Sequence, residues 1–465
     1  MKKSTFLFVL LLILGVGGIC YIHTTVNAQK DKVTLTETVL AGDPSAVEGV
    51  MVEVKTHYDN HLFWNTTYKA GSKPITETEY TFSAQSLYEE RPTEYRGICL
   101  ESYMEYGIDL TEDISELSGL TVAYREIYDA LEPGEEMSKI VYIKDYYDFY
   151  PIGGYIELPG FRANFGGENT LSTVSGLELY EVEQLQEYFK IPVLKEQTRE
   201  ISIQKGTGNS MGIGGSSTES DEYYMCTYNA VGKDACYFTF DTHSYEGKVM
   251  DMSYIPDGYG IYSLPYDTDE TGDTSVDIEQ LSMVYPLDTD VWILDFQINT
   301  EKDKLLLTTQ ENDILYFTVI GIENMETLQK LEIVELKDTF IMQFANYEDF
   351  FAWTFADDRI ALVSLDEAGE YQLEFVVETD LSHQMLYYGN TENAMDWNGE
   401  QLVVASFIMD EYGYYDTCGF HISVFDKKGL AYCGQYTSSL DTAYGKRYSS
   451  RCMPVDYAPL SVSWE

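Results

Sequence analysis

The stretch that decides the fold is VWILDFQINTEKDKLLLTTQENDILYFTVIGIENMETLQKLEIVEL, residues 291–336. It contains four runs of apolar and β-branched residues separated by short polar turns, at 291–297, 304–309, 314–322 and 328–336. Runs of this length between turn residues are typical of β-strands. The sequence therefore predicts four successive strands joined by short turns.

A similar pattern returns further along the chain. WTFADDRIALVS, from Trp353, parallels WNGEQLVVAS, from Trp397: each has a Trp, a polar turn and an apolar strand that ends in Ser. The strands that begin at Lys304, Arg359 and Gln401 are 55 and 42 residues apart (359 − 304 and 401 − 359). Four strands every ~40–50 residues is the sequence pattern of a propeller blade.

On these residues the chain resembles β-propeller repeat proteins. INTEKDKLLLTT (298–309) is similar to the strand, D-x-x-L turn and strand of such blades, and LYFTVIGIENMETLQKLEI (315–333) to the blade half that ends in a reversed strand. The resemblance covers 288–440 and, more weakly, 200–288, and it lacks the Trp-Asp dipeptide and the repeated Tyr-Val-Thr-Asn of the strict families. It implies an all-β fold of about six to seven four-stranded blades, whose final strand, PLSVSWE (459–465), pairs with an N-terminal strand.

Strands dominate from Lys32 onward, and we treat 32–465 as one propeller-like domain. A second architecture, two packed β domains divided near 206–220, stays open. Two helices interrupt the strands: one is predicted over 114–131, where apolar residues recur at three- and four-residue steps, and the other over 179–189. Both are predicted as short helices inserted into a β scaffold.

The N-terminus carries a membrane-targeting segment. Lys2 and Lys3 precede an uncharged run of 18 residues, Thr5–Ile22, which is near the lower limit for a helix that crosses a ~30 Å hydrocarbon core. The lysines orient the segment with its N-terminus inside and the rest of the chain outside the cytoplasm. Residues 1–28 are therefore a signal anchor or, because Val-Asn-Ala at 26–28 suits a signal peptidase, a cleaved signal peptide.

The charge of the chain excludes one class of partner. There are 78 acidic and 29 basic residues, which gives a net charge of −49. Such a field repels phosphate backbones and anionic lipid headgroups, so nucleic acid is excluded and the membrane is met only through the N-terminal helix. The 40 tyrosines are explained mostly by the preference of tyrosine for strands.

Six cysteines lie beyond the membrane segment: Cys99, Cys226, Cys236, Cys418, Cys433 and Cys452. Cys226 and Cys236 lie symmetrically about Val231 in a strand–turn–strand pattern, which predicts a disulfide across that hairpin. Cys418 and Cys433 flank a turn at 426–429, slightly out of register for a direct pair, and Cys99 with Cys452 follows by elimination. Buried thiols are the alternative, since a chain of this size needs no disulfides to fold.

The densest aromatic cluster is a candidate ligand site. YYDFYP, residues 146–151, follows an apolar strand, and Tyr146, Tyr147 and Tyr150 with Asp148 could form a platform on which sugar rings stack. The alternative is that tyrosines on one β segment alternate between core and surface.

An acidic turn is a candidate calcium site. Asp267, Asp269 and Asp273 surround a Gly at 272, as in the first half of a calcium loop, but the twelfth position of a helix–loop–helix loop is Ile278 rather than Glu. Apart from this possible Ca²⁺, the sequence implies no cofactor.

Two further motifs carry little weight. Ser210 lies in a G-x-S-x-G pattern, but glycines and serines follow it instead of the helix that a nucleophile elbow requires. His57, Asp59 and His61 would face one side of a continuous strand, but 58–60 fits better as a hairpin turn.

The sequence lacks a coherent catalytic set. We therefore expect a non-catalytic, membrane-tethered or secreted binding protein that recognises an envelope protein or polysaccharide. The alternative is a secreted carbohydrate-active hydrolase that uses paired carboxylates, which sequence alone cannot pair in space. A sensory subunit that depends on a separate transmembrane partner is a third, weaker alternative.

Overall fold

The structure is a computed structural model of the whole chain. It describes residues 2–58, 61–83, 97–102, 104, 117–165, 177, 179–206, 211–214, 223–347, 349–379, 393–409, 415–439, 453–454 and 460–465. These residues form two compact units: a terminal unit, Met1–Pro92 with Lys337–Glu465, and a central unit, Thr93–Leu336. The prediction of a single domain over 32–465 stays a prediction.

The first part of the terminal unit contains α1 (Lys2–Lys30), β1 (Leu35–Gly42), β2 (Val50–Tyr58), β3 (Leu62–Lys69) and β4 (Ile75–Phe82). The central unit contains β5 (Gly97–Ser102), α2 (Leu120–Ala130), β6 (Glu136–Tyr142), β7 (Ile152–Leu158), β8 (Phe161–Phe165), α3 (Leu179–Tyr188), β9 (Thr198–Lys205), β10 (Met211–Gly214), β11 (Thr227–Val231), β12 (Ala235–Phe240), β13 (Gly260–Thr268), β14 (Thr274–Val276), β15 (Ser282–Pro286), β16 (Trp292–Ile298), β17 (Lys304–Glu311), β18 (Ile314–Gly321) and β19 (Glu326–Glu335). The second part of the terminal unit contains β20 (Ile341–Asn346), β21 (Phe350–Phe355), β22 (Arg359–Leu365), β23 (Tyr371–Glu378), β24 (Ala394–Trp397), β25 (Leu402–Met409), β26 (Tyr415–Asp426), β27 (Gly429–Ser438), β28 (Met453–Pro454) and β29 (Leu460–Trp464).

The fold is all-β and propeller-like. Within the described residues the strands form seven sheets of three to five strands, and neighbouring strands within each sheet are antiparallel. The central unit holds four sheets, β5-β7-β8, β6-β9-β10, β11–β15 and β16–β19, and the terminal unit holds three. Seven small antiparallel sheets agree with the predicted all-β architecture of six to seven blades.

The stretch 291–336 forms one sheet, as its pattern predicts. β16, β17, β18 and β19 lie side by side in chain order. The spacing of the later strands was misjudged, because Arg359 opens the third strand of its sheet whereas Lys304 opens the second. The equivalent second strands begin at Lys304, Phe350 and Leu402, which are 46 and 52 residues apart (350 − 304 and 402 − 350).

The final strand pairs with an N-terminal strand, as predicted. β29 lies antiparallel to β2, with Val462 opposite Val52, and β3 and β4 complete the sheet. The two ends of the chain are therefore joined in one sheet of the terminal unit.

Both predicted helices are present. α2 occupies Leu120–Ala130, the later part of the predicted 114–131, and 105–116 lie outside the described residues. Its apolar face, which includes Ala123 and Ile127, is buried in the core of the central unit. α3 ends at Tyr188, and the Phe189 that follows it is enclosed by aromatic side chains of the β11–β15 sheet.

The N-terminal helix α1 contains a segment, Thr5–Ala28, of 24 residues with a mean hydropathy of 2.5. By length and composition this segment is able to cross a membrane or to act as a signal sequence. The last turns of α1 pack on the terminal unit, where Val26 and Val33 bury Trp64.

Candidate ligand-binding site

The candidate site lies in the central unit at the open end of the β11–β12 hairpin. Antiparallel pairing brings Thr227 opposite Phe240, so the residues just outside the strands, Cys226 and Asp241, also meet. The backbone N–H of Asp241 donates to the carbonyl of Cys226 at 3.1 Å. Asp241 is thereby fixed directly after the end of the buried strand β12.

Two tyrosines hold Asp241 in place. The hydroxyl of Tyr228 donates to Asp241 Oδ2 at 3.2 Å, and the hydroxyl of the fully buried Tyr223 donates to its backbone carbonyl at 2.8 Å. Burial raises the pKa of Asp241 to about 6, against the lowering effect of the Tyr228 hydroxyl. Its carboxyl group therefore changes protonation state close to neutral pH, unlike an exposed aspartate.

An aromatic pair lies close in the chain to the groups that surround this carboxyl group: His243 follows Asp241 by two residues, and Trp292 directly precedes Ile293, whose backbone N–H bonds to the carboxyl group. The indole of Trp292 stacks on the imidazole of His243 with ring centroids 3.9 Å apart and planes 9° apart. The histidine is 6% exposed, but the tryptophan is 37% exposed. Burial lowers the pKa of His243, against the raising effect of Asp290, and so favours the neutral form of the stacked ring.

The surroundings of Trp292 leave part of its surface open. Gly247 lies near the edge of the indole, where an added Cβ would be 3.6 Å from Cζ2, and its φ of +80° is one that other residues rarely adopt. The Thr242 hydroxyl donates to the carbonyl of Thr289 at 2.6 Å, which ties the two chain segments together. Tyr245, in the same loop as Gly247, is 80% exposed. The site thus combines a fixed aromatic face and a buried carboxyl group.

A second carboxyl group in this unit also has a raised pKa. Burial raises the pKa of Asp295 to about 6, and its carboxylate accepts from Gln297 Nε2 at 2.7 Å. Ile293 pairs with Thr309 and Asp295 pairs with Thr308, so Asp295 lies on the face of the sheet opposite to Ile293.

The two carboxyl groups are held by different partners. Asp241 accepts from the Tyr228 hydroxyl and the backbone N–H of Ile293, whereas Asp295 accepts from the Gln297 amide and the backbone N–H of Phe296. The two carboxyl groups share none of these partners, so the arrangement gives no support to the facing pair that a glycosidase uses.

Two of the three tyrosines in the predicted aromatic platform form hydrogen bonds within the protein. Tyr150 is 3% exposed, and its hydroxyl donates to Gln197, so its predicted role in ligand stacking is wrong. The hydroxyl of Tyr147 accepts from the backbone N–H of Leu120 at 3.0 Å, where it satisfies the first turn of α2. Tyr146 is half-buried and Asp148 is exposed, with an ion pair to Lys144 at 3.1 Å. For these last two residues ligand binding stays a prediction.

In the acidic turn between β13 and β14, a carboxylate accepts hydrogen bonds from backbone N–H groups of the same turn. Asp269 Oδ1 accepts from the N–H groups of Thr271 and Asp273 at 2.8 and 3.0 Å and from the Thr271 hydroxyl at 2.6 Å. These bonds lower the pKa of Asp269. Asp267 pairs with Ser275 in the strand, and no cluster of three or more His, Cys, Asp or Glu that suits a metal ion occurs within the described residues. The Ca²⁺ prediction gains no support from the arrangement of this turn.

The register contradicts the predicted disulfide between Cys226 and Cys236. Cys236 lies opposite Val231, five residues along the strand from Cys226, because the turn is centred near 233 rather than at 231. Five residues span about 16 Å of strand, beyond the ~7 Å between Cα atoms that a disulfide allows. Both are free thiols, and burial raises the pKa of Cys236 to about 12.

The predicted pair Cys418 and Cys433 fails for the same reason. Cys433 lies opposite Ser423, whose hydroxyl donates to the Cys433 sulfur at 3.5 Å, and Cys418 is five residues further along β26. The third predicted pair involves Cys452, which lies outside the described residues.

We expect peptide mapping of the unreduced protein to find no peptide that links Cys226 to Cys236. In denaturant without reductant, iodoacetamide should alkylate Cys236, because unfolding removes the burial that keeps the thiol unreactive. A linked 226–236 peptide, or a Cys236 that reacts only after reduction, would contradict the observed register.

The two weak motifs are only partly described. Ser210 and Asp59 lie outside the described residues. β2 ends at Tyr58 and β3 begins at Leu62, so the hairpin interpretation of 58–60 is confirmed in its flanking strands. The ring nitrogen Nδ1 of His61 lies 3.0 Å from the carbonyl of Ser83.

The sequence analysis did not identify Asp241, His243 or Trp292 as site residues. In the sequence Asp241 merely follows a strand, ACYFTF, and Trp292 begins another. No spacing rule connects them, because they meet only through the packing of the β16 segment beside the β11–β12 hairpin. An acidic residue directly after a mostly apolar strand is the one signal that was present.

No family model matches the chain, and no curated protein matches it. Solved structures that it resembles include a protein from Lactobacillus plantarum (TM-score 0.32, 7% identity, 89% of this chain and 99% of that one). A putative 6-phosphogluconolactonase from Bacteroides fragilis has a TM-score of 0.30 at 8% identity over 84% and 95% of the two chains. A periplasmic gluconolactonase from Pseudomonas aeruginosa has a TM-score of 0.26 at 8% identity over 83% and 96%. Likeness at this level supports no statement about chemistry.

Proposed function

We propose that this chain is a non-catalytic binding protein of the cell envelope, tethered to the membrane or secreted, that recognises an envelope polysaccharide or protein through its central unit. The observation that carries the proposal is the partly exposed indole of Trp292, stacked on His243 beside the buried carboxyl group of Asp241. A fixed aromatic face binds the apolar side of a sugar ring or an aromatic side chain, and a nearby carboxyl group selects for hydrogen-bond donors.

The N-terminal helix supports the envelope location. Thr5–Ala28 is long and apolar enough for a membrane span, and Lys2 and Lys3 orient it with the globular units outside the cytoplasm. Val26, which belongs to the possible peptidase site, is buried against Trp64. This packing favours a retained anchor, because cleavage after Ala28 would remove a side chain that covers the Trp64 indole.

The alternative, a carbohydrate-active hydrolase, is favoured by one observation: Asp241 and Asp295 both have a pKa near 6, as a general acid requires. The two carboxyl groups have different hydrogen-bond partners, and the stacked, partly exposed Trp292 favours binding over hydrolysis.

The test is an array of envelope polysaccharides and solubilised membrane proteins probed with the full-length chain in nanodiscs, with each captured glycan analysed for size after incubation. Capture of an intact glycan or a membrane protein supports a binding role. Shortening of a glycan, abolished in the variant Asp241→Asn, would establish the hydrolase instead.

We expect the stability of the central unit to depend on pH through Asp241. Its folded-state pKa is raised, so the folded protein binds this proton more tightly than the unfolded chain. The group therefore destabilises the fold above pH 6, and that penalty disappears as the pH falls below the folded pKa and approaches the unfolded value of about 3.9.

Asp241→Asn should remove this dependence, because asparagine keeps an oxygen for the Tyr228 hydroxyl but does not ionise. The unfolding free energy of the variant minus that of the natural chain should be roughly 2 kcal/mol larger at pH 7.5 than at pH 4.5. Urea unfolding at both pH values measures this, with the exposed Asp148→Asn as the control for net charge. An equal difference at the two pH values would contradict the buried placement of Asp241.

A further inference from the structure

The end of α1 is docked on one edge of the terminal unit. The ring of His23 meets the ring of Tyr80 edge-on, with centroids 5.7 Å apart, and the Tyr80 hydroxyl lies 3.1 Å from His23 Nδ1. About two helical turns further on, Lys30 Nζ pairs with Glu79 at 3.1 Å. Together with the burial of Trp64 under Val26, these contacts fix the direction of the helix relative to β4.

The length of the apolar segment places this contact at a membrane surface. A helix rises 1.5 Å per residue, so a ~30 Å hydrocarbon core that begins at Thr5 is crossed by about 20 residues and ends near Thr24. His23 is one residue before that point and still inside the apolar segment Thr5–Ala28. The Tyr80 side chain that contacts His23 therefore lies at the level of the outer headgroups.

The end of β4 that lies toward the bilayer carries a further exposed aromatic side chain. Glu79 contacts Lys30, and the next residue of the strand, Tyr80, contacts His23. Because His23 precedes Lys30 in the helix, β4 runs toward the membrane end of α1. Phe82 follows on the same face, with its ring 5.6 Å from that of Tyr80, and is 44% exposed. The opposite end of the same strand begins at Ile75, which pairs with Lys69 and is 51% exposed.

We propose that the open end of the β3–β4 hairpin, which carries Leu62, Tyr80 and Phe82, rests in the headgroup region of the outer leaflet and binds the lipid surface through these side chains. Leu62 pairs with Phe82, so the three side chains are close together at the same end of the hairpin. Aromatic side chains with a polar tip favour this layer, where one end of the side chain is apolar and the other is hydrated. The contact compensates for the acidic surface, which by itself is repelled by anionic headgroups.

This arrangement rests on the tether in the proposed function, because a cleaved helix would leave the hairpin without a fixed orientation. In this arrangement the anchor holds the terminal unit against the membrane so that the open end of the β3–β4 hairpin faces the lipid. An exposed phenylalanine at the end of an outer strand then has a physical role.

The test is lipid photo-crosslinking on the full-length chain in phosphatidylcholine nanodiscs. One variant carries the photoreactive residue p-benzoylphenylalanine in place of Phe82, and the matched control carries it in place of Ile75, on the same strand and similarly exposed. Because interfacial side chains enter only ~5–10 Å of the headgroup layer, we expect about tenfold more lipid adduct at position 82 than at position 75.

Equal adduct at the two positions, or none at position 82, would overturn the proposal. The intact mass of the purified chain separates this failure from a failure of the tether. A chain that retains 1–28 and gives no adduct at position 82 has an anchor without docking, whereas a chain that begins after Ala28 has no anchor.

Discussion

Replacing Phe189 with alanine is expected to lower the free energy of unfolding of the central unit by about 3–5 kcal/mol, the usual cost of truncating a buried phenylalanine. Phe189 is fully buried, and its ring lies 5.1 Å from that of Tyr262, 5.6 Å from that of Phe240 and 5.9 Å from that of Phe238. These neighbours lie on the hydrogen-bonded strands β12 and β13, so they cannot easily collapse into the cavity.

The measurement is native-state hydrogen exchange of peptides from β12 and β13, because it reports on the central unit without requiring the whole chain to unfold in one step. Tyr180→Ala is the matched control, since Tyr180 is an aromatic residue on α3 that is 56% exposed. The control should change the exchange of β12 little. A Phe189→Ala variant with exchange like that of the control would show that α3 is not packed on this sheet.

Replacing Trp292 with alanine is expected to weaken binding of the captured ligand at least about tenfold, because a partly exposed tryptophan held in place on one side has the properties of a binding hot spot. The stacked His243 keeps the indole in one orientation before any ligand arrives. Little conformational entropy is then lost on binding, which is the physical basis of the large expected effect.

The dissociation constants of three variants separate a ligand contact from a loss of structure. Trp292→Phe should retain most of the affinity, because it keeps a flat aromatic face on His243. Phe340→Ala removes an aromatic side chain that is 58% exposed in the terminal unit and should leave the affinity unchanged. If Trp292→Ala binds as tightly as the natural chain, the site proposed around Asp241 is not the ligand site.

The strands of the β16–β19 sheet could be predicted because local signals agreed there. Apolar runs, short polar turns and β-branched residues all indicated the same four strands, and each run needs only its neighbours in sequence to form a sheet. The later repeats were less clear. Trp353 and Trp397 both precede a hairpin turn, but Trp353 lies on the second strand of its sheet and Trp397 on the first. Similar local sequences at different places in a sheet therefore gave a misleading period.

The cysteines show how a small error in register changes a conclusion. Symmetry about Val231 predicted that Cys226 faces Cys236, but the turn lies two to three residues later, near 233. Each residue of shift in a turn displaces the opposing partner by two positions, so two thiols that seemed paired lie at opposite ends of the hairpin. Register depends on which face of each strand meets the core, and the sequence near the turn does not contain that information.

The tyrosines at 146–150 show the same limit for side chains. Their density suggested an exposed platform, but the core accepts Tyr150 because Gln197 receives its hydroxyl, and α2 uses the hydroxyl of Tyr147. A tyrosine is buried when a partner for its hydroxyl lies nearby in space. That partner is distant in the chain and was not visible in the sequence.

The sequence by itself determined the all-β class, the apolar N-terminal segment, the acidic surface and the positions of most strands, because composition and local periodicity decide these properties. Only the tertiary structure decided which strands share a sheet, which predicted disulfides cannot form and that Asp241 lies beside the β16 segment. Those features depend on contacts between distant residues, and burial raises the pKa of a carboxyl group only after such contacts have removed water from it.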